Sequence, residues 1–248
     1  MDATVVTLLA AGMLLAAFGY ASVGHGGASA YIAAMALAGV APAEMRPVAL
    51  VLNVVVSSLA SWKFWRAGHF RWRLFWPFAV VSIPMAYLGG AITLPGQAYK
   101  IVVGAVLLYA AWQLWRSARA GEEMRAVRAP PLASAMAIGA LLGLLAGLTG
   151  VGGGIFLSPL LLMLGWAGTK QTSATSAPFI LVNSIAGLAA GFAVKSASLP
   201  SYIGILAAAV IVGGWLGAEY GSRRFANPLV RRILAVVLAL AGAKMISV

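Results

Sequence analysis

The chain has 248 residues, 62% of them hydrophobic and only 9% charged, with 17 Lys and Arg, 5 Asp and Glu, 2 His and no Cys. A soluble domain carries about 25% charged residues, so this composition, with a mean hydropathy of +0.96, excludes a soluble globular protein and means a polytopic helical membrane protein. Without Cys there is no disulfide framework or thiol chemistry, and the net charge of +12 reads as basic loops that set orientation in a bilayer, not as a nucleic-acid surface.

In chain order, apolar segment a is predicted over 5–20; it follows Met1-Asp2 with no basic run, so it is read as retained and not as a cleaved signal. The stretch Gly24-His25-Gly26-Gly27 breaks the pattern before a short segment b over 28–40. Segment c covers 45–65. A basic, aromatic loop follows, with Lys63, Arg66, His69, Arg71, Arg73 and Trp62, Trp65, Trp72 and Trp76, a composition suited to a membrane interface. Segment d covers 74–92, with Pro84 as a predicted kink, and segment e covers 98–115. A polar linker with Arg116, Arg119, Glu122, Glu123, Arg125, Arg128 and Pro130-Pro131 then divides the chain. The domain expectation is a first transmembrane repeat over 1–116, a cytoplasmic linker over 117–131 and a second repeat over 132–248.

The second half repeats the order of features. Segment a′ covers 132–148, the break Gly150-Val151-Gly152-Gly153-Gly154 follows, and b′, c′, d′ and e′ cover 155–166, 172–194, 202–220 and 229–246. Gly24 and Gly152 align at an offset of 128, and Asn53 and Asn183 at 130. Internal repeats of this kind are a transporter signature. Segments b and b′ are short for the roughly 20 residues that span a bilayer. They are either re-entrant or cross where the glycine breaks shorten the path. If they cross, 13 of the 17 Lys and Arg fall on the side of the linker; if they are re-entrant, the split is 10 to 7. The excess of cations in cytoplasmic loops favours crossing, with inverted halves and both termini outside the cytoplasm. The predicted fold class is therefore an all-α polytopic membrane protein built from two inverted repeats of about five segments, with Gly-broken helices at the centre.

The chemistry begins with what is missing. The acids are Asp2, Glu44, Glu122, Glu123 and Glu219, so there is no buried carboxylate pair for a cation or metal site, and no Ser/His or Cys/His arrangement for an enzyme. Glycines let backbone N–H groups turn inward, and a break that feeds a helix N-terminus favours an anion. The candidate substrate-binding residues are Gly24, His25, Gly26, Gly27, Gly152, Gly153, Gly154 and Ser158 at the breaks, with Asn53, Thr175, Ser176 and Asn183 on segments c and c′. For Gly139, Gly143 and Gly147 close helix packing is the better reading. Ser and Thr on c and c′ either face the anion or bond back to their own helix. His25 is either a proton-coupling group or a neutral histidine bonded to backbone. Arg46 is a candidate for anion recruitment at the outer mouth, or for pairing with Glu44, and Glu219 with Arg223 is read as an i, i+4 helix pair.

At these residues the chain resembles the TauE/SafE family of sulfite and organosulfur-anion permeases, over essentially its whole length. The shared motif is a Gly-rich run followed by a proline once per half. The second copy is intact as Val151-Gly152-Gly153-Gly154 with Pro159; in the first, His25 interrupts the glycines and Tyr31-Ile32 stand where the proline is expected. The resemblance implies a permease of a small anion, sulfite or an organosulfonate, in the bacterial inner membrane. The expectation is a secondary transporter with no cofactor, a small inorganic or organic anion and the lipid bilayer as partners, proton coupling through His25, no nucleic acid, and a homodimer as a candidate assembly. The alternatives are an anion channel with the same site and a non-transporting scaffold subunit.

Overall fold

The computed structural model describes residues 2–117, 128–195, 199–223 and 228–247; Arg119, Glu122, Glu123 and Arg125 of the expected linker lie outside them. These residues form ten helices and no strand: α1 Ala3–Ala21, α2 Ala28–Leu37, α3 Pro42–Arg66, α4 Trp72–Ala91, α5 Gly96–Ser117, α6 Leu132–Thr149, α7 Gly154–Met163, α8 Thr169–Lys195, α9 Ile203–Arg223 and α10 Pro228–Ser247. By length and apolar character α1, α3, α4, α6, α8 and α9 can each cross a bilayer.

The ten segments match the ten helices, with differences at their ends that have local causes. Segment b stops at Leu37, because Gly39 turns into the left-handed region (φ 75°) and the Val40 N–H closes on the Met35 carbonyl at 2.9 Å. Segment b′ stops at Met163 in the same way, with Gly165 at φ 66° and the Trp166 N–H on the Leu161 carbonyl at 2.8 Å. Helix α3 begins three residues before segment c, because Pro42 takes the first helical turn, where a missing N–H costs nothing. The last glycine of the second break, Gly154, belongs to α7 and not to the loop.

Packing fixes how the helices run. A Cβ built on Gly139, Gly143 and Gly147 would fall 2.4, 2.3 and 2.1 Å from the carbonyl oxygens of Phe78, Ser82 and Ala86. These contacts step together, so α6 and α4 lie parallel with their backbones touching, the close packing expected for those glycines. Gly213, Gly217 and Gly221 of α9 meet the carbonyls of Leu14, Phe18 and Ser22 in the same manner, which sets α1 parallel to α9. Lys63 of α3 pairs with Glu219 of α9, Arg223 Nε reaches the same carboxylate at 2.6 Å, and Lys63 Nζ lies 3.8 Å from the Trp215 ring centroid. Helices α1, α3 and α9 therefore finish at one end of the bundle. Lys63, Arg66, Arg71 and Arg73 collect there beside exposed Trp65 and Trp72, so it is the basic end.

The short helices turn back. The α2 N-terminus meets Asn53, midway along α3, and its C-terminus lies beside the start of α3, so α2 returns the chain towards the end where α1 began. Helix α7 runs against α8 from Ile180 back to Ser176. Apolar packing falls in two clusters. One includes Met13, Tyr31, Leu52 and Leu107, and the other Phe78, Leu142, Leu161 and Phe179.

Candidate functional site

The first break starts as a helix stop. Gly24 at φ 74° donates to the Ala21 carbonyl at 3.0 Å and His25 donates to the Tyr20 carbonyl at 2.9 Å, a Schellman pattern that ends α1. Gly27, at φ 96°, then caps α2. The second break differs: the Gly150 N–H bonds to Ala146 at 2.9 Å, the Val151 N–H reaches Thr149 Oγ1 at 3.3 Å, and Gly153 at φ 78° caps α7.

Asn53, fully buried, lies between them. Its Oδ1 accepts the Ala28 N–H at 3.1 Å, and its Nδ2 donates to the Val151 carbonyl at 3.2 Å and to Ser184 Oγ at 3.3 Å. Only this amide orientation matches a donor to Oδ1 and acceptors to Nδ2. The approach leaves no room for side chains on the loops: a Cβ on Gly26 would lie 2.2 Å from Asn53 Oδ1, and one on Gly152 would lie 2.6 Å from Asn53 Nδ2. One amide thus ties the α2 N-terminus to the second break.

A side-chain chain makes a second tie. His25 Nε2 is 2.7 Å from Ser158 Oγ on α7, and Ser158 Oγ is 2.8 Å from Ser176 Oγ on α8, all three buried. Two buried tyrosines, neither of them among the candidate site residues, brace the first break. The Tyr31 hydroxyl donates to the Gly26 carbonyl at 2.8 Å, and Ser29 Oγ donates to the Tyr20 hydroxyl at 2.8 Å. In a trans peptide the C=O and N–H point opposite ways, so Tyr31 turns the Gly27 N–H away from itself. Tyr31 is the fourth residue of α2 while Pro159 is the sixth of α7, so the two do not hold the same position in their helices; a tyrosine four residues after the last glycine was the available signal.

The N–H groups of Gly26, Gly27, Ser29 and Ala30 at the first break, and of Gly152, Gly153, Gly154 and Ile155 at the second, have no acceptor among the described residues. All eight residues are buried. More than nine in ten buried backbone N–H groups are paired, so two clusters of such donors at two helix N-termini are an arrangement that accepts anions chemically.

Not every candidate joins this centre. Thr175 Oγ1 bonds back to the Gln171 carbonyl at 2.8 Å, and Ser57 and Ser58 bond back to Asn53 and Val54. Asn183, fully buried, donates to the Phe179 carbonyl of its own helix at 2.9 Å, and its Oδ1 has no hydrogen-bond partner among the described residues. The matched asparagines are thus differently bonded. The Glu44–Arg46 pair is not formed among the described residues; the Arg46 guanidinium instead donates to the carbonyls of Gly90 at 2.6 Å, Gly89 at 3.2 Å and Ile92 at 3.3 Å, closing the C-terminal end of α4. Its Cγ would lie 3.0 Å from a Cβ on Gly150. Lys170, read in the sequence only as a loop charge, is the counterpart in the other half. It donates to the Gly221 carbonyl of α9 at 2.6 Å, while Ser173, a turn later, presses on Gly24.

Crossing-length apolar helices around a buried polar centre define a multi-pass membrane protein of the transporter class. The sequence model of the family described as Sulfite exporter TauE/SafE matches residues 8–245, and the chain belongs to that family. A protein of Sinorhizobium fredii (strain NBRC 101917 / NGR234), described as "Probable membrane transporter protein y4hK", is 40% identical over 240 residues, which cover 96% of this chain and 97% of the relative. No solved structure matches the chain.

Proposed function

We propose that the protein is a secondary transporter of a small oxyanion, sulfite or an organosulfonate, bound between the two glycine breaks and moved by alternating access. The observation that carries this reading is the meeting of the α2 N-terminus and the second glycine break at Asn53, with buried N–H groups at both breaks that have no acceptor among the described residues. Each helix N-terminus contributes roughly half a positive charge, and among the described residues no acidic side chain stands at the breaks to oppose it. The relative's description as a membrane transporter and the family's as a sulfite exporter support the same class.

On this reading residues 1–116 and 132–248 are inverted repeats. Helix α1 pairs with α9 and α6 with α4, which are the same pairing with the halves exchanged, and this supports the inversion. On this reading the basic end faces the cytoplasm of a bacterial inner membrane, and segments b and b′ return the chain across the bilayer; α1 and α3 ending at the same end supports that path. Export of an anion then runs down an inside-negative potential, worth about 2.3 kcal/mol per charge per 100 mV. Uptake needs a coupled ion, and His25, bonded to Ser158, is the group for a proton.

The test is anion-dependent thermal stabilisation of the purified protein at fixed ionic strength, with sulfite, a small sulfonate, sulfate, formate and chloride, followed by flux in proteoliposomes. A selective shift for a sulfur oxyanion with saturable flux supports the transporter. Flux above carrier rates supports a channel, and neither shift nor flux in folded protein returns the weight to a scaffold role.

A further inference from the structure

A cavity of about 240 Å³ lies at the end of the bundle opposite the basic end, where α2, α3, α5 and α10 converge. It is remote from the glycine breaks: α2 leads from one to the other, and its ten residues rise about 15 Å. Its walls include Val40, Pro42, Met45 and Met245, its charges are Lys100 and Lys244, and no acidic residue lines it. Lys244 Nζ donates to the carbonyls of Ala36 at 3.0 Å and Leu37 at 3.1 Å, so part of its charge is matched by the end of α2. Lys100 makes no ion pair or hydrogen bond among the described residues. Its ammonium group therefore has no assigned work in holding the fold.

Three aliphatic residues beside this pair decide the kind of occupant: Ile101 follows Lys100, Ile246 stands two residues after Lys244, and Leu37 accepts from Lys244 through its carbonyl. Ile101 is 48% exposed, Leu37 44% and Ile246 40%. In a membrane protein such side chains face lipid. A doubly cationic, apolar-walled cavity bordered by lipid-facing aliphatic side chains fits a phosphate ester that carries acyl chains. Lysine ammonium groups and a phosphate ester are complementary in charge and hydrogen bonding. We propose that this cavity binds the phosphate of an anionic glycerophospholipid between Lys100 and Lys244, with its acyl chains along Leu37, Ile101 and Ile246. The site is independent of the anion site proposed at the breaks, and its occupant needs no transport to be detected.

The experiment uses the full chain in mild detergent and follows retention of phosphatidylglycerol and phosphatidylcholine by native mass spectrometry. Thermal unfolding is measured beside it with each lipid, with inorganic phosphate and with glycerol 3-phosphate. Lys100→Gln and Lys100→Glu are the informative variants, because Lys100 has no hydrogen bond or ion pair to lose among the described residues; Lys244→Gln is secondary, because it also uncaps α2. The expected result is stronger retention of phosphatidylglycerol than phosphatidylcholine, weakened about fivefold by Lys100→Gln and further by Lys100→Glu. Phosphatidylcholine retention and the lipid-free unfolding temperature stay unchanged. Equal retention of the two lipids, or no effect of either Lys100 variant, overturns the proposal. Protection by inorganic phosphate or glycerol 3-phosphate equal to that by phosphatidylglycerol also overturns it, in favour of a free phosphate.

Discussion

Asn53 and Asn183 occupy matched places in the two halves, and the structure predicts that their removal has unequal effects. Asn53→Ala deletes bonds to the Ala28 N–H, the Val151 carbonyl and the Ser184 hydroxyl, all of them buried. The Ser184 hydroxyl can turn to a carbonyl of its own helix, but the two backbone groups are held by the loops. An unpaired buried group costs about 1–3 kcal/mol, and a membrane hydrogen bond averages about 0.6 kcal/mol when its partners can find substitutes. Two stranded groups therefore give a loss of about 2–4 kcal/mol, on the order of 10 °C in unfolding temperature for a chain of this size. Asn183→Ala deletes a bond to Phe179 of the same helix and removes an Oδ1 that has no partner among the described residues. Its expected cost is about 0–1 kcal/mol. Thermal unfolding of both variants in one detergent, followed by tryptophan fluorescence, is the assay. Equal losses, or a larger loss for Asn183→Ala, would refute the claim that Asn53 alone of the pair ties the two breaks together.

Gly217→Ala places a methyl group 2.2 Å from the Phe18 carbonyl oxygen, whereas Gly204→Ala meets nothing within 4 Å. The first is expected to cost about 1–3 kcal/mol and the second to be neutral or slightly stabilising, read by the same unfolding assay. Lys63→Met removes a cation paired with Glu219 and set over Trp215, for a loss of about 1 kcal/mol, while Arg223→Ala, whose side chain is 78% exposed, is near neutral. Arg46→Gln uncaps the end of α4 and is expected to cost about 1–3 kcal/mol in thermal unfolding. On the proposed transport reading, Arg46→Gln raises the apparent KM for sulfite entering at its own end of the bundle, and Lys170→Gln does so at the basic end. Flux measured in each direction in oriented proteoliposomes checks this, and equal effects on both directions would count against two matched mouths.

The helices were legible because each apolar block is bounded by Gly, Pro or a basic loop, and hydropathy reads that punctuation directly. The glycine breaks were legible for a related reason: three consecutive glycines inside apolar sequence cost too much helix stability to be incidental. What the chain order hides is which groups meet across it. Nothing local separates Asn53 from Asn183, since each stands in a similar apolar helix. Their difference arises because Ala28 and Val151 come to one of them from opposite halves. Arg46 is a sequence candidate for anion recruitment at the outer mouth or for pairing with Glu44; what chain order hides is that its guanidinium bonds to three carbonyls more than forty residues away. Lys170 escaped notice because a lysine beside a loop carries no mark of the helix end it closes.

Each half completes the break of the other. The first break hands His25 to Ser158 of α7 and lays Gly24 against Ser173. The second gives its Val151 carbonyl to Asn53 of α3 and lays Gly150 against Arg46. Even the long-helix contacts are exchanged, with α1 on α9 and α6 on α4. The second half alone would leave the Val151 carbonyl without Asn53, and the first would leave the His25 ring without Ser158, inside apolar surroundings that a bilayer does not relieve. Division at the linker would therefore part groups that are bonded across it, and the polar centre draws on residues from both sides. The same interleaving places the α2 N-terminus and the second glycine break on one amide. The feature that most strongly suggests an anion site is thus also the feature that holds the two halves together.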